Sequence, residues 1–249
     1  ASTVPNLKSY DPAFTYELAV IIRDGIDRMY ARQENVFYYV TIHNENYPMP
    51  AMPEGVADGI VRGLYRFRPA AAPGTAGRRA HLFGSGAIMT EVLKAQALLA
   101  TFGVAADVWS VTSYTELCRE ALAAERAALL AGTTPAVTGR LPYVQSALAG
   151  EDGVFVAASD YVKALPLSIA RWVPGRFVVL GTDGFGLSES RPDLRGWFEV
   201  SAGYVAWAAL TALAADGRFP AGELPAAAAA LGIDPGKADP ALAGPASAR

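Results

Sequence analysis

The side chains best suited to chemistry gather in His43-Asn44-Glu45-Asn46-Tyr47-Pro48-Met49-Pro50, which brings an imidazole, a carboxylate and two carboxamides together. The segment follows Val36-Phe37-Tyr38-Tyr39-Val40-Thr41-Ile42, a β-branched and aromatic run that predicts a strand buried on both faces. It therefore sits at the carboxyl end of a strand, where open α/β sheets bind their ligands. Other chemistries find less support. Gly84-Ser85-Gly86 has the place of a phosphate loop but lacks the third glycine of a dinucleotide fingerprint, and reads better as a tight strand-to-helix turn. Ser85 lacks the pattern of a nucleophile elbow, and a hydrolytic triad would have to draw on His43 or His81. His81 reads as an edge or packing residue and Cys118 as a small core residue. One cysteine and two histidines leave no cluster at metal-ligand spacing.

The elements that must position these residues are legible from periodicity. Asp11-Pro12 predicts an N-cap followed by proline in the first turn, with a helix from Pro12 to Ala31 carried by Ala19, Ile22, Ile26 and Met29. The Pro/Gly/Ala-rich stretch 68–79 reads as a linker with a domain boundary near residue 77, dividing the chain into 1–76 and 77–249. Beyond it, strands are expected at 81–83, 106–111, 154–158 and 177–180, alternating with helices at 88–102, 115–130 and 160–172. That alternation predicts an α/β fold with a mostly parallel, doubly wound sheet. The tail after Gly232 is expected to fray.

Composition narrows the function classes. With 52% hydrophobic and 18% charged residues, the 249-residue chain can bury a real core. A net charge of -3 with interspersed signs provides no basic field for nucleic acid or anionic lipid. No apolar run reaches the roughly 18 residues of a membrane span, and a single cysteine suits a cytoplasmic setting. The first methionine is Met29, so a fragment is expected.

Two long strings are more specific. One is Ser9-Tyr10-Asp11-Pro12-Ala13-Phe14 through Glu17, with Asn44-Glu45-Asn46-Tyr47 and Met49-Pro50-Ala51-Met52-Pro53-Glu54-Gly55. The other runs from Leu180-Gly181-Thr182-Asp183-Gly184-Phe185-Gly186 to Arg191, and Ser110-Val111-Thr112-Ser113 adds a third segment. From Ser2 to about Gly217 the chain resembles the homodimeric bacterial pyruvate dehydrogenases of the transketolase superfamily. The resemblance implies the end of a thiamine-diphosphate-binding pyrimidine domain followed by a transketolase-like C-terminal domain. It implies an enzyme that decarboxylates pyruvate and transfers the acetyl unit to the lipoyl group of an acyltransferase component, using thiamine diphosphate and Mg²⁺.

The family's metal motif, Gly-Asp-Gly followed by an asparagine, is not matched: Asp183-Gly184 follows Thr182, and no asparagine occurs after Asn46. The cofactor-activating glutamate would lie upstream of Ala1, and Glu17 is not its counterpart. What the resemblance implies for this chain is narrower. Tyr10 and Phe14 stand where aromatic residues flank the aminopyrimidine, with packing into the core as the open alternative. Glu45 falls where a carboxylate handles protons near the substrate, or else caps the following turn. Asn44 and Asn46 orient the substrate carboxylate or hold the loop backbone. Pro48 replaces a histidine common before the Met-Pro pair, which makes His43 a further catalytic candidate. The Gly181 to Gly186 loop is expected at an interdomain or dimer contact. Two other readings stay open: a non-catalytic dimerisation or assembly module of the same fold, and a nucleotide-binding oxidoreductase, against which the incomplete glycine fingerprint counts.

Overall fold

The computed structural model describes residues 2–75, 77–137 and 139–244. It opens with β1 (Leu7–Tyr10), followed by α1 (Thr15–Ile26) and a single π-helical turn, Asp27–Ala31. The expected cap at Asp11 is not used, because its carboxylate is already taken by the Thr41 hydroxyl and the His43 ring. Phe14 caps α1 instead, and Glu17 reaches back to accept the amides of Ala13 at 2.5 Å and Phe14 at 3.1 Å. Burial of Glu17 raises its pKa, while its other oxygen accepts the hydroxyls of Tyr65 and Ser110.

β2 (Phe37–Val40) lies parallel to β1, and the two form a separate two-stranded sheet. It is shorter than expected and is not buried on both faces. Tyr38 and Val40 pack against a small core of Tyr10, Val20, Ile21, Ile60 and Tyr65, whereas Phe37 and Tyr39 face outward. A run of aromatic and β-branched residues reports strand propensity, not the number of covered faces.

α2 (Ala57–Arg62) and β3 (Tyr65–Arg68) precede the expected linker, which is a loop pinned by the Ala70 amide on Asp107. β4 (Arg79–Gly84), α3 (Met89–Thr101), β5 (Ala105–Ser110), α4 (Tyr114–Leu130), α5 (Tyr143–Ala147), β6 (Val154–Ala158), α6 (Ala164–Leu167) and β7 (Phe177–Leu180) follow. α7 (Arg191–Trp197), α8 (Ala202–Ala215) and α9 (Leu224–Leu231) complete the order. The second sheet runs β3-β5-β4-β6-β7, parallel throughout except for β3, which pairs antiparallel with β5.

Alternation along the central strands feeds two cores, the arrangement of a doubly wound sheet. Ala80, Leu82, Val154 and Val156 pack with residues of α3 and α8, while Phe83, Phe155 and Ala157 pack with α4 and α5. The helix expected over 160–172 is interrupted, because Pro166 cannot donate to a helical ladder, leaving α6 and a 3₁₀ turn at Ala170–Trp172. The stretch Arg191–Ala215 is long and apolar enough to cross a membrane, but 56% of its most apolar window is buried inside the fold. Its hydropathy is that of a core helix.

The expected fraying after Gly232 is not found up to residue 244. Lys237 donates to the Trp197 carbonyl at 2.7 Å and pairs with Glu199 at 2.9 Å, and Pro240 is buried. Residues 245–249 lie outside the described residues.

Candidate functional site

The segment after β2 runs along the carboxyl ends of the second sheet's central strands, and there His43, Asn44 and Glu45 meet Ala87, Asp160, Arg191, Leu194 and Arg195 around a cleft of about 150 Å³. Three elements build it. Ser190 caps α7 by accepting the Asp193 amide, with Pro192 in the first turn, and this aims Arg191 and Arg195 across the cleft. Asp160 follows β6. Gly86 begins the turn between β4 and α3 with φ +48°, a left-handed conformation suited to glycine.

Glu45 does not cap the turn that follows it. Arg195 holds its two oxygens at 3.2 and 2.5 Å in a fork, with Arg191 at 3.5 Å. Arg195 also contacts Glu91 of α3 at 3.3 Å, and Glu91 accepts the first amide of α8, from Ala202, at 2.9 Å. Glu45 is thereby tied through one guanidinium to the main core.

His43 Nε2 donates to Asp11 Oδ1, 2.9 Å away, and its Nδ1 lies 4.0 Å from Asp160 Oδ2. The Asp11 hydrogen bond raises the His43 pKa against the opposing effect of burial. Burial likewise raises that of Asp160, which the His43 charge partly offsets. Asn44 is exposed and its carbonyl accepts from Arg191; Asn46 is exposed and is not among the residues lining the cleft.

Tyr10 lines a second, larger cleft of about 750 Å³ that also takes in Asp11, Tyr39, Ser85, Tyr114 and Tyr161. Its ring stacks on Tyr38 and its hydroxyl donates to the Val61 carbonyl at 2.9 Å. Asp11 Oδ2 and the Tyr114 hydroxyl are buried without hydrogen-bond partners among the described residues. Phe14 lines neither cleft; it packs in the main core between Tyr16 and Phe67.

His81 is not at a sheet edge. It is fully buried on the central strand between Trp109 and Phe155, where burial holds its pKa down to about 4. With Asp107 and Glu151 it brings potential ligand atoms within 4.8 Å of one another. Arg79 and Arg66 already neutralise those carboxylates, and the Trp109 indole donates to His81 Nδ1 at 3.3 Å, so the group serves packing. Cys118 is partly buried against the core under α4. In the Gly181 to Gly186 loop, the Asp183 carboxylate accepts the Lys163 amide at 2.9 Å and Gly184 abuts the Pro240 carbonyl.

Sequence reasoning named neither Asp160 nor Arg195, read Asp11 only as a helix cap, and met Arg191 only at the end of a longer string. The only local signal for the arginines was the cap at Ser190, because their partners lie about 150 positions away.

Comparison with known proteins places these features. The family "Transketolase-like TK C-terminal domain" matches residues 63–201, and "Pyruvate dehydrogenase E1 component middle domain" matches residues 1–50. The pyruvate dehydrogenase E1 component of Pseudomonas aeruginosa is 46% identical over 242 residues, covering 96% of this chain and 27% of that protein. The corresponding Escherichia coli component is 46% identical over 97% of this chain and 27% of its own length. The chain thus spans about a quarter of the length of the curated relatives it matches. Among solved structures, transketolase from Leishmania mexicana superposes with a TM-score of 0.58 at 15% identity, over 89% of this chain and 27% of that one, which supports the fold. With a family match across residues 63–201 and the parallel sheet that such a match requires, this chain belongs to the transketolase-like C-terminal domain family.

Proposed function

We propose that this chain is the carboxy-terminal portion of a pyruvate dehydrogenase E1-type enzyme, which decarboxylates pyruvate and passes the two-carbon unit to the lipoyl group of an acyltransferase component. The observation that carries the reading is 46% identity to E1 components across 96% of the chain, spanning two consecutive family regions. The boundary between a middle-domain remnant and the C-terminal domain, the homodimeric state and a cytoplasmic location belong to the same proposal.

Thiamine diphosphate supplies the carbanion chemistry in such an enzyme. The residues here do not fit a diphosphate and Mg²⁺ site. The Asp183 loop lacks the motif's first glycine and its asparagine, and the Asp183 carboxylate is engaged by a backbone amide. This chain instead contributes one wall: Tyr10 in the larger cleft, and Glu45, His43 and Asn44 in the smaller one. Glu45 presents a fixed negative charge, and Asn44 offers its carboxamide from the rim.

A chimera in which this chain replaces the matching quarter of the Pseudomonas component tests the reading through pyruvate-dependent CO₂ release. Activity is expected; a folded chimera that binds the cofactor and releases no CO₂ overturns it. In that chimera, Glu45→Gln is expected to lower turnover more than stability, and unchanged turnover would remove Glu45 from the site.

A further inference from the structure

Asp11, His43 and Asp160 come from three separate parts of the chain and meet at the smaller cleft. Asp11 Oδ1 lies 2.9 Å from His43 Nε2 and also accepts the Thr41 hydroxyl at 2.5 Å, which fixes the carboxylate's orientation. A carboxylate at that distance places a proton on Nε2 and leaves Nδ1 to face the cleft. Nδ1 stands 4.0 Å from Asp160 Oδ2, on a side chain that lines the cleft and keeps 38% of its surface exposed. Asp11 Oδ2 accepts no hydrogen bond among the described residues, so the imidazole is the nearest group able to balance that charge.

The surrounding charges favour a protonated ring. Asp11, Asp160 and Glu45 all act on it in that sense. The two guanidiniums at the cleft are committed elsewhere: Arg195 to Glu45 and Glu91, Arg191 to Glu45 and the Asn44 carbonyl. Other ionisable neighbours, Tyr47, Tyr114 and Tyr161, are phenols whose pKa values burial raises, with Asp11 adding to the effect. Space is reserved for the pair as well. A Cβ at Gly86 would lie 2.8 Å from both Asp11 carboxylate oxygens and run into His43 Nε2.

We propose that Asp11 and Asp160 are positioning residues for His43, which carries the cleft's transferable proton on Nδ1, while both oxygens of Glu45 are occupied by the Arg195 fork. In the transfer the Nδ1–H bond breaks and the proton passes to an oxygen or carbon of the reacting 2-oxo acid. The ring is left neutral with its Nε2–H still on Asp11, and solvent restores the lost proton. The role in turnover rests on the function proposed above; the positioning does not.

The chain's two histidines make the test direct, since ¹³C- or ¹⁵N-detected titration yields two imidazole curves. His43 is expected to titrate above about 6.5, and His81 near its buried value of about 4 serves as a reporter of the fold. Asp11→Asn should lower the His43 value by about one unit or more and leave His81 in place. Asp160→Asn should lower it by less, and provides the test if Asp11→Asn fails to fold. A His43 curve at or below about 6.5, or one that neither variant moves, overturns the positioning.

In the enzyme containing this chain, His43→Gln should lower kcat on the order of 10²-fold. Asp11→Asn should move the alkaline limb of the kcat profile to lower pH by the same interval seen in the titration, with KM changing less. A limb that stays put while the titration moves overturns the proton-carrying role. Absence of pyruvate turnover in the unsubstituted enzyme would instead refute the proposed function and leave the titration result standing.

Discussion

Replacing Arg195 with alanine removes the one guanidinium shared by Glu45 and Glu91, whose side chains are only 18% and 8% exposed. Breaking a fully buried ion pair from one side costs roughly 3–5 kcal/mol. Here the loss is smaller. Glu91 keeps Lys94 at 2.7 Å and the Ala202 amide at 2.9 Å, and Glu45 keeps Arg191 at 3.5 Å. About 2 kcal/mol remains, which for a chain of this length lowers Tm by roughly 4–8 °C.

Scanning calorimetry at neutral pH and low salt measures the effect directly. Burial opposes the charged form of Glu91, but Lys94, the Ala202 amide and Arg195 together hold its pKa below the usual value of 4.5. A carboxylate with a depressed folded pKa contributes stability above its unfolded value and loses it as pH falls through the folded one. The gap between Arg195→Ala and the unsubstituted chain should therefore narrow below about pH 4.5. A destabilisation under roughly 0.5 kcal/mol, or a gap indifferent to acid, would refute the linkage of Glu45 to the core through this residue.

Two more perturbations probe buried groups. Glu17→Ala strands four donors and should cost about 3 kcal/mol, whereas Glu17→Gln, which still accepts from the Ala13 and Phe14 amides, should cost less than half of that; equal losses in urea melts would contradict the four-donor account. For His81, burial makes the folded state prefer the neutral ring, so stability should decline as pH drops from about 6.5 to about 4, by about 3 kcal/mol in all. His81→Gln should flatten that slope, and a slope that survives the substitution would assign it to other groups.

How much of this was legible in the sequence depended on how local each cause is. β6 and β7 were expected at 154–158 and 177–180 and lie there, because short apolar runs bounded by turns allow little else. β3 was missed: Tyr65–Arg68 carries two arginines, and one of them is tolerated by lying over the Trp109 ring at 4.8 Å. Asp11-Pro12 has the local form of a helix start, yet partners 30 and 32 positions away claim the aspartate. The site divided in the same way. His43, Asn44 and Glu45 were found as a cluster after a strand, while the residues that hold them come from elements that only folding brings near. Phe14 and Tyr10 looked equivalent by type and differ in what they line.

The two-stranded sheet has a practical consequence for handling this polypeptide. Among the described residues β1 and β2 form a sheet only with each other, and the outward face of β2 presents the exposed rings of Phe37 and Tyr39. A strand pair this small offers open backbone edges together with an uncovered aromatic surface, the combination that templates edge-to-edge association. Concentration and time will therefore work against the isolated chain in solution, and a charged substitution at Phe37, outward on β2 and lining neither of the two clefts, is the simplest gatekeeper with which to keep it monodisperse.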